Sequence, residues 1–265
     1  MKRPMLIDSH CHLNYPGLVD DQADVVRRAQ AAGVDAMISI STRRAEWADI
    51  IASTERYAGV YASVGVHPHE ADQHADVTAE TILAAANAPK VVGIGETGLD
   101  YYYEHSDREA QQRLFRAHIE ASRIAGLPLI VHTRDAEADT IRILQEESAK
   151  GAFPILIHCF SGSQHLADAC IELGAYISLS GIVTFKSATD LRETVKTLPA
   201  ERILVETDSP FLAPVPKRGK TCEPAFVLHT ARLVAEIRNA EFADFAATTR
   251  SNTLALFTKM ESACV

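Results

Sequence analysis

Short apolar runs alternate with longer amphipathic stretches along most of this chain. The short runs fall at residues 5–8, 36–40, 60–66, 91–95, 128–132, 154–158, 175–179 and 203–206 and are bounded by turn residues. They are apolar nearly throughout and mostly β-branched. That pattern predicts strands buried on both faces, as in a parallel sheet. Between them, apolar positions recur at helical spacing. Residues 20–32 carry Val25, Val26 and Ala29 as one stripe. Residues 107–125 carry Leu114, Phe115, His118, Ile119 and Ser122, and Gly126-Leu127-Pro128 then stops the helix and starts a strand. The stretch 224–260 holds two further helical patterns. Eight strands, each followed by a helical segment, predict an α/β protein of the (β/α)8 TIM-barrel type. An open doubly wound sheet is the alternative, but no G-x-G-x-x-G or Walker sequence follows a strand.

Composition narrows the picture. The 265 residues have one even texture, 47% hydrophobic and 23% charged, with no linker, repeat or low-complexity segment. One domain over residues 1–265 is therefore expected, since such barrels often run to ~250 residues. The formal net charge of −9 excludes a strongly basic nucleic-acid-binding surface. An anionic substrate must instead be drawn by a metal or a small basic cluster. The five cysteines (Cys11, Cys159, Cys170, Cys222 and Cys264) show no C-x-x-C spacing, so a disulfide framework is not expected. No run approaches a signal peptide or the ~20 apolar residues of a membrane span. A soluble, cytoplasmic monomer with no obligate protein partner is the expectation.

The metal-binding residue types fall at the ends of the strand-like runs. His10 and His12 close the first, and at i and i+2 of a strand two imidazoles ~7 Å apart along the backbone can converge on one ion. Glu96, His132, His158 and Asp208 stand at or just past the ends of the fourth, fifth, sixth and eighth runs. In a barrel those ends meet at one rim. Four imidazoles and two carboxylates exceed the needs of one tetrahedral ion. They suit two divalent ions bridged by a carboxylate. Mixed nitrogen and oxygen donors favour zinc, manganese, iron or cobalt over an all-oxygen magnesium site, and the ion's identity stays open among zinc, manganese, magnesium and cobalt.

Asp-Ser-His-Cys-His, Gly-Val-His67-Pro-His, Gly-Glu-Thr-Gly-Leu-Asp-Tyr, His158-Cys-Phe-Ser-Gly and Glu-Thr-Asp-Ser-Pro-Phe-Leu resemble, in order, the motifs of the TatD-like metal-dependent deoxyribonucleases. The likeness runs from residue 6 to beyond Pro224. It implies a distorted barrel of the amidohydrolase type, divalent metals and phosphodiester hydrolysis of DNA, with 3′–5′ exonuclease action among its characterised members. It implies His10, His12, Glu96, His132, His158 and Asp208 as metal ligands, with Glu96 bridging. The chain departs from the family where Cys222 replaces a frequent asparagine, which puts local substrate contacts in doubt.

Two divalent ions less two carboxylates would leave the pocket cationic inside an acidic protein, which suits a phosphate diester. Asp208 is expected to orient a metal-activated water and take its proton. His67 is expected to bond a phosphate oxygen or to support the metals. His69 is left open. Glu206 and Asp100 are expected to support ligands rather than to be ligands. In the loop Pro216-Lys-Arg-Gly-Lys220, Arg218 and Lys217 are candidate phosphate contacts. Tyr101, Tyr102 and Tyr103 could stack on bases, although at least two are expected to pack at the rim. Ser161-Gly-Ser163 is a weak candidate for presenting amides to a phosphate. Cys11 and Cys159, each next to a ligand, are expected to point into the core. The alternatives to DNA hydrolysis are cleavage of another ester or amide, such as D-aminoacyl-tRNA deacylation, and a non-catalytic nucleic-acid-binding barrel.

Overall fold

A computed structural model describes residues 5–263. Cys264 lies outside them; the other four cysteines are free thiols. The strands are β1 (Leu6–Cys11), β2 (Val34–Ser39), β3 (Val60–Val64), β4 (Val91–Asp100), β5 (Leu129–Arg134), β6 (Ile155–Ile157), β7 (Tyr176–Leu179) and β8 (Ile203–Val205). They form one parallel sheet in sequential order. The helices α1 (Gln22–Ala32), α2 (Trp47–Arg56), α3 (Ala79–Ala86), α4 (Arg108–Ala125), α5 (Glu137–Ser148), α6 (Gln164–Glu172) and α7 (Thr189–Thr197) connect successive strands, and α8 (Val227–Ile237) and α9 (Phe242–Leu256) follow β8. This is a (β/α)8 barrel. No helix among the described residues is long and apolar enough to cross a membrane.

Burial on both strand faces has a direct structural counterpart. Leu129, Val131, Ile155, Ile157, Ile203 and Val205 belong to the core between barrel and helices. Their alternating neighbours Ile130, Leu156 and Leu204 fill the interior with Ile7, Ile38 and Val92. Leu256, Phe257 and Met260, from the end of α9 onward, join that inner cluster and plug the amino-terminal end of the barrel. Polar chemistry is therefore left to the carboxyl-terminal end, two residues further along the same inward rows.

The distortion is localised. β1 and β8 share no regular ladder; a single parallel bridge links Cys11 and Ser209. Closure comes instead from His12 N–H to Ser209 O at 2.7 Å and Asp208 N–H to His10 O at 2.9 Å. Below these, the buried Asp8 carboxyl group, its pKa pushed up to about 8 by burial, accepts from Thr207 N–H at 2.9 Å and Thr207 Oγ1–H at 2.6 Å. A side chain here does the work of a missing strand pair.

Candidate metal centre

Regular alternation would place Ser9, not His10, inward after Ile7. Ser9 does point in, bonding Ser178 Oγ at 2.9 Å. A register shift between Asp8 and Cys11 then re-aims the chain, so that His10 and His12 both face the mouth. β4 is longer than its apolar run implies and passes through Glu96 to Asp100, pairing with β5 as far as Arg134. Gly98 makes this extension possible. Its φ is +133°, and a Cβ there would lie 2.0 Å from His132 O. Asp208 holds a left-handed φ of 58°, a conformation that aspartate tolerates better than most residues.

Four donor atoms converge on one point. His10 Nε2 lies 3.3 Å from His12 Nε2, 3.4 Å from Glu96 Oε2 and 3.6 Å from Asp208 Oδ1. His12 Nε2 lies 3.3 Å from Asp208 Oδ1 and 4.0 Å from Glu96 Oε2. Donors ~2.1 Å from a shared tetrahedral ion stand ~3.4 Å apart, so the spacing is that of a ligand set. The other oxygen of Glu96 faces a second group: Oε1 lies 2.8 Å from His158 Nε2, 3.1 Å from His132 Nδ1 and 3.4 Å from His67 Nε2.

The opposite ring nitrogens are mostly anchored. His12 Nδ1–H donates to Ile40 O at 3.1 Å. His132 Nε2 meets Asp100 Oδ2 at 3.0 Å, and His158 Nδ1 meets Glu206 Oε1 at 3.3 Å. Carboxylates behind imidazoles fix ring orientation and tautomer in metal sites. His158 Nε2 is buried without a hydrogen-bond partner, as are His10 Nδ1 and Glu206 Oε2. An orphaned imidazole nitrogen beside a carboxylate, within a donor set of this spacing, is what a divalent cation would satisfy.

Charge supports this. Burial alone would raise the pKa of Glu96, yet His158, His67 and bonds from His10 and His132 hold it well below the ordinary value. Burial likewise opposes ionisation of Asp208, and His12 overrides it. Buried carboxylates kept ionised require positive charge beside them.

His67 is different. Its Nδ1 accepts from His69 N–H at 3.1 Å, which puts the ring proton on Nε2. Burial pushes its pKa down to about 4, so it faces the site as a neutral donor. His69 bonds Asp100 Oδ2 at 2.9 Å. Asp100 also accepts from Tyr102 and Tyr103 N–H, which ties the loop after β4 to His132.

His12, His67, Glu96, His132, His158 and Asp208 line a cavity of about 710 Å³. Arg218 and Lys217 are not on its wall. Arg218 lies over Phe185, 3.9 Å from the ring centre, and donates to Ala213 O; Lys217 sits over Phe226 at 5.1 Å. The cations lining the cavity are Arg43 and Arg134. The sequence reading missed both, although Arg134 ends β5 and Arg43 stands shortly after β2. Cys159 corrects another expectation. β6 stops at Ile157, so strand alternation no longer applies, and Cys159 lines the cavity at φ 46°. Burial pushes its thiol well above the usual range, leaving it a poor nucleophile. Ser163 caps α6, and its N–H and hydroxyl are both taken by Glu137, so it offers no amide to a ligand. Of the three tyrosines, Tyr101 packs under Arg108 and bonds Asp139, whereas Tyr102 and Tyr103 stand about half exposed, one fewer packed at the rim than expected.

Fold and donor set together define a metal-dependent hydrolase built on a parallel barrel. The chain belongs to the TatD-related DNase family, whose model matches residues 7–258. It is 38% identical over 253 residues to the uncharacterised metal-dependent hydrolase YabD of Bacillus subtilis, covering 96% of this chain and 99% of that one. It is 35% identical to a protein of Citrobacter koseri named 3′-5′ ssDNA/RNA exonuclease TatD, covering 95% and 98%. Among solved structures, the TatD homologue YJJV of Escherichia coli K12 superposes with a TM-score of 0.89 at 29% identity, covering 96% and 98% of the two chains.

Proposed function

We propose that this chain is a deoxyribonuclease that hydrolyses phosphodiester bonds with two divalent ions held by His10, His12, Glu96, His132, His158 and Asp208. The observation that carries the reading is Glu96, whose two oxygens each face a separate group of nitrogen donors. When bound, the ions lower the pKa of water in the site and neutralise charge on the phosphoryl group. Asp208 is the more open carboxylate, 16% exposed against 4% for Glu96, which supports it as the group that would take the proton of the attacking water. Neutral His67 would donate from Nε2 to a non-bridging phosphate oxygen, and its low pKa keeps its own ring from adding charge to the floor of the site. Arg43, although paired with Glu70 at 2.7 Å, lies on the cavity wall where an incoming phosphate competes for it. The family and the named activity of the Citrobacter relative support nucleic acid as the substrate.

The test uses Glu96→Ala and Asp208→Ala. Both variants are expected to keep wild-type circular dichroism and to lose at least ~100-fold in cleavage of labelled oligonucleotide. Metal analysis of Glu96→Ala should show depleted ions. Wild-type turnover in both variants would end the two-ion reading.

A further inference from the structure

Three aromatic side chains are exposed among the described residues: Tyr102 at 56%, Tyr103 at 49% and Phe211 at 50%. All three stand at the mouth of the barrel. Tyr102 and Tyr103 follow Asp100 at the end of β4, and Phe211 follows Asp208 beyond β8. Three strands lie between β4 and β8 in either direction around the eight-stranded barrel, so the two loops face each other across the site. Packing does not account for this exposure. Phe211 lines the cavity and meets His12 and Tyr15 in T-shaped contacts, with centroids 6.3 and 5.9 Å apart. No described aromatic ring is stacked on it. On the other lip, Tyr102 and Tyr103 stand perpendicular, 4.8 Å apart, and the imidazole of His105 stacks on Tyr103 at 5.5 Å, which leaves Tyr102 the more open ring. The Arg134 guanidinium lies over both rings, at 4.0 and 4.7 Å. Among the described residues Arg134 joins no ion pair, and it too lines the cavity.

Half-exposed rings, a cation laid against two of them and a candidate metal centre between them form a recurring combination. Proteins that hold unpaired nucleotides use aromatic faces for the bases and guanidinium groups for the backbone. We propose that Phe211 and the Tyr102–Tyr103 pair are base-stacking platforms for the nucleotides on the two sides of the scissile bond, with Arg134 binding the phosphate next to the second platform. The proposal rests on the nuclease reading above. A base in a duplex is already stacked on its neighbours, so these platforms select strands whose bases are free.

The experiment compares kcat/KM of metal-loaded protein on a single-stranded oligonucleotide and on the same strand made abasic on both sides of the labelled bond. Wild type should prefer the strand with bases by about five- to hundredfold. Phe211→Ala should collapse most of that preference, Tyr102→Ala/Tyr103→Ala should reduce it, and Phe211→Tyr should restore it. A merely structural role would lower both substrates together and leave the ratio intact. An unchanged ratio in the alanine variants, or no preference in wild type, overturns the proposal while the nuclease reading stands. Failure of wild type to cut either strand overturns the nuclease reading, and the stacking proposal with it.

Discussion

His118 shows how much of the site depends on residues that never touch it. It lies fully buried on α4, donates from Nδ1 to Leu114 O at 2.8 Å and accepts Val66 N–H on Nε2 at 3.1 Å. It thereby fixes the backbone one residue before His67. Burial pushes its pKa from 6.5 down to about 4, so the fold holds it neutral. The unfolded chain binds the proton more readily between these values. The contribution is fully present above the unfolded pKa and is lost as pH falls toward the folded one, by up to about 3 kcal/mol. Urea unfolding of wild type and His118→Gln between pH 7.5 and 4.5 checks this. The stability gap between them should narrow as pH falls. Parallel curves would assign His118 a packing role alone. The sequence marked His118 as one of a helical stripe; its hold on Val66 joins residues far apart in the chain, which periodicity cannot register.

At the scale of elements, the closure between β1 and the segment after β8 holds the two most distant parts of the ligand set together. Asp8 supplies two of its bonds, both to Thr207. Asp8→Ala leaves Thr207 N–H and its hydroxyl without their buried acceptor, and should cost about 2–4 kcal/mol in chemical denaturation. Zinc titration of the folded variant should show weakened binding, because His10 and Asp208 lose their mutual register. Unchanged affinity would mean that the backbone bonds from His12 and Asp208 suffice for closure. The existence and order of all eight strands were legible in the apolar runs, because burial on both faces leaves an unmistakable composition. Their ends were less so. Gly-Glu-Thr-Gly reads as a turn, yet β4 continues through it, since Gly98 packs against the backbone of His132. The irregularity in β1 leaves no trace in periodicity: residues i and i+2 share a face in any strand, but it takes that shift to turn the face of His10 and His12 toward the mouth. Lys217 and Arg218 drew attention as a basic cluster, but clustering does not report direction, and both lie against phenylalanine rings. Arg43 and Arg134 were legible by the same strand-end rule that found the imidazoles.

The molecule as a whole carries a formal charge of −9, while the floor of its cavity gathers imidazoles around two ionised carboxylates. Long-range steering of an anionic strand is unfavourable for such a surface. On the proposed function, capture falls to the site itself: the cations it would hold, the neutral donor at His67 and the aromatic lips. That proposal makes metal content the expected control on activity. The most direct measurement is cleavage of end-labelled single- and double-stranded DNA by chelator-stripped protein, with Mg²⁺, Mn²⁺ and Zn²⁺ restored in turn and bound ions counted. The account predicts no cleavage by the stripped protein, recovery as the second ion fills, preference for the single strand, and no recovery in His10→Ala. Folded protein that binds two ions yet cuts no DNA with any metal would contradict it.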